Sequence, residues 1–71
     1  MTTPQSQNTL IKLPTVKERT SLSTSEIYRR IEAGTFPAQI KLGAKAVAWL
    51  EHEINDWISE VVAQGRASEV A

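Results

Sequence analysis

The 71-residue chain has no cysteine, a single histidine, one phenylalanine, one tyrosine and no net charge at neutral pH. Without cysteine there are no disulfides and no thiolate metal ligands, and the redox compartment is left open. No apolar run approaches the ~20 residues that a bilayer span requires. The opening MTTPQSQNT is polar rather than signal-like, so a cytoplasmic protein without a membrane partner is the expectation. The length suits one small domain, which buries only ~60% of its unfolded surface and is therefore marginal in stability.

Catalytic chemistry also has little to work with. His52 is the only histidine, expected on the surface of the last helix. Glu53, Asp56 and Glu60 could be read as acid–base or metal carboxylates. Their spacing, however, merely follows one exposed helix face, with no second ligand type nearby. The expectation is no enzyme, no cofactor and no metal. That stripe is read instead as a solubilising face or a contact for a protein partner.

What is present is an uneven division of charge. From Thr15 to Ala48, Lys17, Arg19, Arg29, Arg30, Lys41 and Lys45 outweigh Glu18, Glu26 and Glu32, a balance of +3. From Trp49 onward only Arg66 opposes Glu51, Glu53, Asp56, Glu60 and Glu69, a balance of −4. Such an asymmetry of sign often marks a nucleic-acid face.

Three parts are expected: a disordered tail over 1–9, a folded domain over 10–64 and a flexible tail over 65–71. Leu10, Ile11 and Leu13 read as an extended apolar segment, and Pro14 biases Leu13 away from helical dihedrals. Thr15 and Glu18 have the spacing of a capping box, which predicts a short helix from Val16 to about Thr20. Ser23 and Glu26 repeat that spacing, and Gly34 can close a second helix over 24–33 in the left-handed conformation. The only large aliphatics in that helix are Ile27 and Ile31, one turn apart. A stripe so thin leaves most of the circumference in solvent, with Ser25, Arg29 and Glu32 roughly opposite it.

Two helices joined by so short a turn, with Leu22 as the plug between them, form a helix-turn-helix pattern. Phe36 is expected beneath the second helix, and Pro37 blocks its continuation. Short segments of partly alternating polarity around Gly43-Ala44-Lys45 predict a β-hairpin over 40–48, bearing Lys41 and Lys45. The strongest helical periodicity lies in Leu50, Ile54, Trp57, Ile58 and Val61, with Trp49 just before it. A core helix from about Leu50 to Ala63 follows, ended by Gly65. The expected class is α+β, mostly helical: a winged helix-turn-helix of three helices and a two-stranded hairpin.

The ordered set LxxVxxRTxLSxSxIYRxIxxGxFP, from Leu13 to Pro37, followed by KLGxxAVxWxxxEIxxWI, from Lys41 to Ile58, resembles the AlpA family of small phage-related transcriptional regulators. That family falls in the wider MerR-like and excisionase-like winged-helix group. The resemblance covers about residues 10 to 60, and its specificity lies in the order and spacing of the pieces. It implies a sequence-specific regulator of a prophage or mobile element that binds double-stranded DNA. Helix 24–33 would enter the major groove and the wing over 40–48 would meet the adjacent backbone. The alternative it implies is an excisionase-type architectural factor acting at attachment sites. Lys45 stands where the family commonly has arginine; lysine neutralises a phosphate but lacks arginine's planar fork.

Within that frame Ser23 and Thr24 lie where free N–H groups and the helix dipole suit a phosphate oxygen. Ser25, Tyr28 and Arg29 are the expected groove contacts, Arg29 being suited to a bidentate pair with guanine. Arg30 is read as either a backbone clamp or an intramolecular partner for a carboxylate. Lys17, Arg19, Lys41 and Lys45 are the remaining backbone candidates. A single module of this size suggests self-association on adjacent half-sites, and transcription or recombination proteins are further candidate partners.

Overall fold

In chain order the elements are β1 (Leu10–Ile11), α1 (Leu13–Thr20), α2 (Thr24–Ala33), β2 (Ile40–Lys41), β3 (Val47–Leu50) and α3 (Glu51–Val70). They come from a computed structural model that describes residues 9–70. The tail expected over 1–9 therefore lies, apart from Thr9, outside the described residues. The architecture is a mostly helical α+β winged helix-turn-helix. The hairpin expected over 40–48 is formed by β2 and β3, and β1 adds a third strand on the other side of β3.

The sheet is antiparallel, in the order β1-β3-β2. Leu10 pairs with Leu50 and Ile11 with Trp49 on one edge of β3, while Ile40 pairs with Ala48 and Lys41 with Val47 on the other. Two-residue strands are too short to persist alone, so both outer strands depend on β3 as their template. The ladder extends one step further where the Glu51 N–H donates to the Thr9 carbonyl at 2.8 Å. Leu50 accordingly ends the strand instead of opening the helix.

α1 begins earlier than the capping-box pattern predicts. Lys12 occupies the N-cap position without a side-chain hydrogen bond, and Pro14 sits in the first turn. Proline is tolerated there because the N–H it lacks would have no intrahelical partner. Thr15 is thus already helical and caps nothing. α1 ends at Ser21, whose φ of 63° is left-handed and whose N–H donates to the Lys17 carbonyl at 2.8 Å.

α2 has the predicted bounds, and both ends are sealed by local chemistry. The Ser23 hydroxyl accepts from the Glu26 N–H at 3.2 Å. At the other end Gly34 has a φ of 80°. Its N–H donates to Ile31 O at 3.0 Å and the Thr35 N–H to Arg30 O at 2.9 Å, the paired bonds of a Schellman motif.

α3 runs to Val70, straight through Gly65. A glycine inside a helix costs only ~1 kcal/mol relative to alanine, and it ends a helix where it takes the left-handed conformation itself, as Gly34 does and Gly65 does not.

The core is Val16, Ile27, Phe36, Trp49 and Ile54, one residue from each of α1, α2, the α2–β2 link, β3 and α3. Leu22 packs against this cluster from the turn between α1 and α2, alongside Ile31, Trp57 and Ile58. Fully burying one such aliphatic contributes ~1.5–3 kcal/mol, so a core of five residues leaves little surplus. The two indoles have a second use. Trp49 Nε1–H donates to Pro37 O at 3.0 Å and Trp57 Nε1–H to Thr35 O at 2.8 Å. Together they pin the irregular link that follows α2.

Candidate nucleic-acid interface

α2 is anchored by Ile27, its only fully buried residue, with Ile31 half-buried one turn on. The rest of its surface is polar and open. Ser23 and Ser25 are exposed, Thr24 is half-buried at the start, and Tyr28 is 37% exposed. Arg29 is the more open of the helix's two arginines, with 72% of its side chain accessible against 39% for Arg30. Ser25 and Arg29 each stand two places from Ile27, about 200° around the helix from the buried anchor, so they face outward by geometry, while Tyr28, one place on, flanks it.

One carboxylate organises the positive charge on this helix. Arg29 Nη2 donates to Glu26 Oε1, and Arg30 Nη2 approaches Glu26 Oε2 at 3.2 Å. The hydrogen bond from Arg29 holds the Glu26 carboxyl below its usual range, against a partial desolvation that works the other way; the charges of Arg29 and Arg30 add to the lowering. The same hydrogen bond raises Arg29. Glu32, the alternative partner for Arg29, is exposed and takes no part in these pairs.

Arg30 turns inward. Its guanidinium carbon lies 6.0 Å from the Trp57 ring centroid, and its Nε is buried without a hydrogen-bond partner. Trp57 is itself fixed by an edge-to-face contact with Phe36, the centroids 4.8 Å apart. The two readings of Arg30 as clamp or carboxylate partner thus meet a residue already engaged with Glu26 and an indole.

The other basic candidates divide in two. Arg19 is drawn to α3, donating to Glu51 Oε2 at 2.7 Å and to Asn55 Oδ1 at 3.0 Å, which ties α1 to the core helix. Lys17 on α1, Lys41 on β2 and Lys45 in the turn are exposed and form no ion pair among the described residues. The turn closes with the Leu42 and Gly43 N–H groups both donating to Ala46 O, so Lys45 lies within it.

Two residues were overlooked in the sequence. Glu26 is explained there by its capping role, yet it stands three and four places before Arg29 and Arg30, both pairing distances on a helix. Its N–H does serve the cap while its carboxylate serves the arginines. Periodicity places Trp57 in the core, and its role beside Arg30 has no local signature.

On the acidic side, Glu53, Asp56 and Glu60 rim an open cleft floored by Phe36, Pro37 and Trp57. Among the described residues no group of histidine, aspartate and glutamate is placed to hold a metal ion, and no helix is long and apolar enough to cross a membrane.

A three-residue turn between two helices, followed by a short antiparallel hairpin and a long core helix, defines the winged helix-turn-helix class. Over residues 9–62 the chain matches the family described as Prophage CP4-57 regulatory protein (AlpA), and it belongs to that family. The description is that of a regulatory protein and not of an enzyme. Among curated proteins it is 40% identical over 57 residues to the uncharacterized protein ORF88 of Enterobacteria phage P4. That match takes in 80% of this chain and 65% of the phage protein, so the chain corresponds to about two thirds of that relative's length. It is also 33% identical over 57 residues to the DNA-binding transcriptional activator AlpA of Escherichia coli K12, covering 72% of this chain and 81% of that protein.

Proposed function

We propose that the chain is a sequence-specific, double-stranded-DNA-binding transcriptional regulator of a prophage or mobile element. α2 enters the major groove, and the hairpin over 40–48 lies on the adjacent backbone in the manner of the MerR-like and excisionase-like winged-helix group. The observation that carries this reading is the composition of α2: a helix sealed at both ends, anchored by one buried isoleucine, and bearing Ser25, Tyr28 and an open Arg29 on the rest of its surface.

Those groups suit a duplex for separate reasons. Arginine matches the O6 and N7 acceptors of guanine in a single plane, while the serine and tyrosine hydroxyls reach base edges or phosphate. Lys41 and Lys45 suit phosphate oxygens as point charges, and Ser23 and Thr24 place free N–H groups where a phosphate can sit. Family membership and the relative named as a DNA-binding transcriptional activator support the same conclusion.

The test is a footprint over the DNA flanking the gene. Protection at a promoter supports a transcriptional role. Protection confined to an attachment site favours the architectural alternative, and no protection at any salt concentration refutes DNA binding.

A further inference from the structure

A chain of contacts leads from the core helix to the most exposed cation of α2. Phe36 and the Thr35 carbonyl fix Trp57, Trp57 lies against the Arg30 guanidinium, Arg30 pairs with Glu26, and Glu26 holds Arg29. We infer that Glu26 is a specificity-determining positioning residue, which presets Arg29 for base reading while Arg30 and Trp57 hold it from behind. This rests on the reading that α2 lies in a major groove.

Two physical effects follow from the arrangement. A free arginine surrenders side-chain freedom when it docks on a base, whereas one already held by a neighbour surrenders less. The carboxylate beside it also repels phosphate oxygens, which carry full charge, more strongly than the neutral N7 and O6 edge of guanine. Glu26 therefore steers Arg29 away from indiscriminate backbone contact and towards the bases. Arg30 cannot serve equally as a backbone clamp, because leaving its place would release Glu26 and expose the indole.

The experiment starts by selecting a duplex from a randomised pool with the whole chain. Affinities for that duplex and for a scrambled one of equal length are then compared. Wild type, Glu26→Gln, Arg29→Ala and the double variant are measured at one salt concentration. Glutamine is nearly isosteric, and the backbone N–H that serves the Ser23 cap is unaffected; a thermal melt checks the fold. The expected result is a specificity ratio about fivefold lower in Glu26→Gln, mainly through tighter binding of the scrambled duplex. In the Arg29→Ala background the same change should leave the ratio unaltered.

An equal effect of Glu26→Gln in both backgrounds, or none in either, would overturn the inference while leaving DNA binding intact. Failure of the wild type to select any duplex would overturn the functional reading and this inference with it. A readout free of DNA adds a second arm. The NMR order parameter of the Arg29 side-chain Nε–H should fall in Glu26→Gln, and an unchanged value counts against the holding role.

Discussion

α2 and the β3–α3 half of the molecule solve the problem of stability in opposite ways. α2 carries one fully buried residue and relies on its ends, where a serine cap and a Schellman glycine satisfy the free backbone groups. The β3–α3 half contributes Ala48, Trp49 and Ile54, all fully buried, and α3 follows β3 without a loop. Charge follows the same division, since the acidic surplus lies on α3 and every basic residue except Arg66 precedes it. The contrast teaches that the outer face of α2 is free to vary because little of the fold depends on it, whereas the first turns of α3 have no such freedom.

The sharpest way to test that division is to strike the core half. Trp49→Ala removes a fully buried indole and its hydrogen bond to Pro37. The expected loss is ~3–5 kcal/mol, enough to unfold much of so small a domain. A urea melt reads it, and a loss below ~1 kcal/mol would show that the core lies elsewhere. The matching blow to α2 falls on its end. Ser23→Ala should remove ~1 kcal/mol, seen as a lower melting midpoint, because one helix-start N–H loses its partner. A loss as large as that of Trp49→Ala would erase the contrast.

The smallest effect concerns acid. Glu26 has a carboxyl lowered by its arginine partners, so its pairing stabilises the fold fully above the ordinary value of 4.5 and is lost as pH falls through the lowered folded-state value. The pair is exposed, so the change is slight. Denaturation of wild type and Glu26→Gln from neutral pH down to about pH 3 should show a small advantage for wild type that vanishes at the acid end. A gap that persists unchanged would mean the carboxylate's charge is not its source.

Much of this arrangement was legible in the sequence, and the failures have physical causes. α2 was readable to the residue because both of its stop signals are local: Ser23 with Glu26 at the start, Gly34 at the end. The hairpin is readable from alternation, but its second strand runs on through Trp49 and Leu50, which periodicity assigns to the entry and first turn of the last helix. The start of α1 was not, since a capping-box pattern at Thr15 competes with a proline suited to a first turn. β1 was only an extended apolar segment, because a two-residue strand has no periodicity and exists through its partner, β3. The end of α3 is not legible at Gly65, because a glycine weakens a helix without ending it. The Glu26 fork stayed hidden behind a cap that explained the same residue.

The central claim is that α2 reads DNA with a face the fold does not need. Arg29→Ala, assayed for both melting and binding to a duplex selected by the wild type, tests it most directly. The account predicts a stability change within ~0.5 kcal/mol and a loss of specific affinity of ~1–3 kcal/mol. Unchanged affinity, or a weakened affinity explained entirely by unfolding, would contradict it.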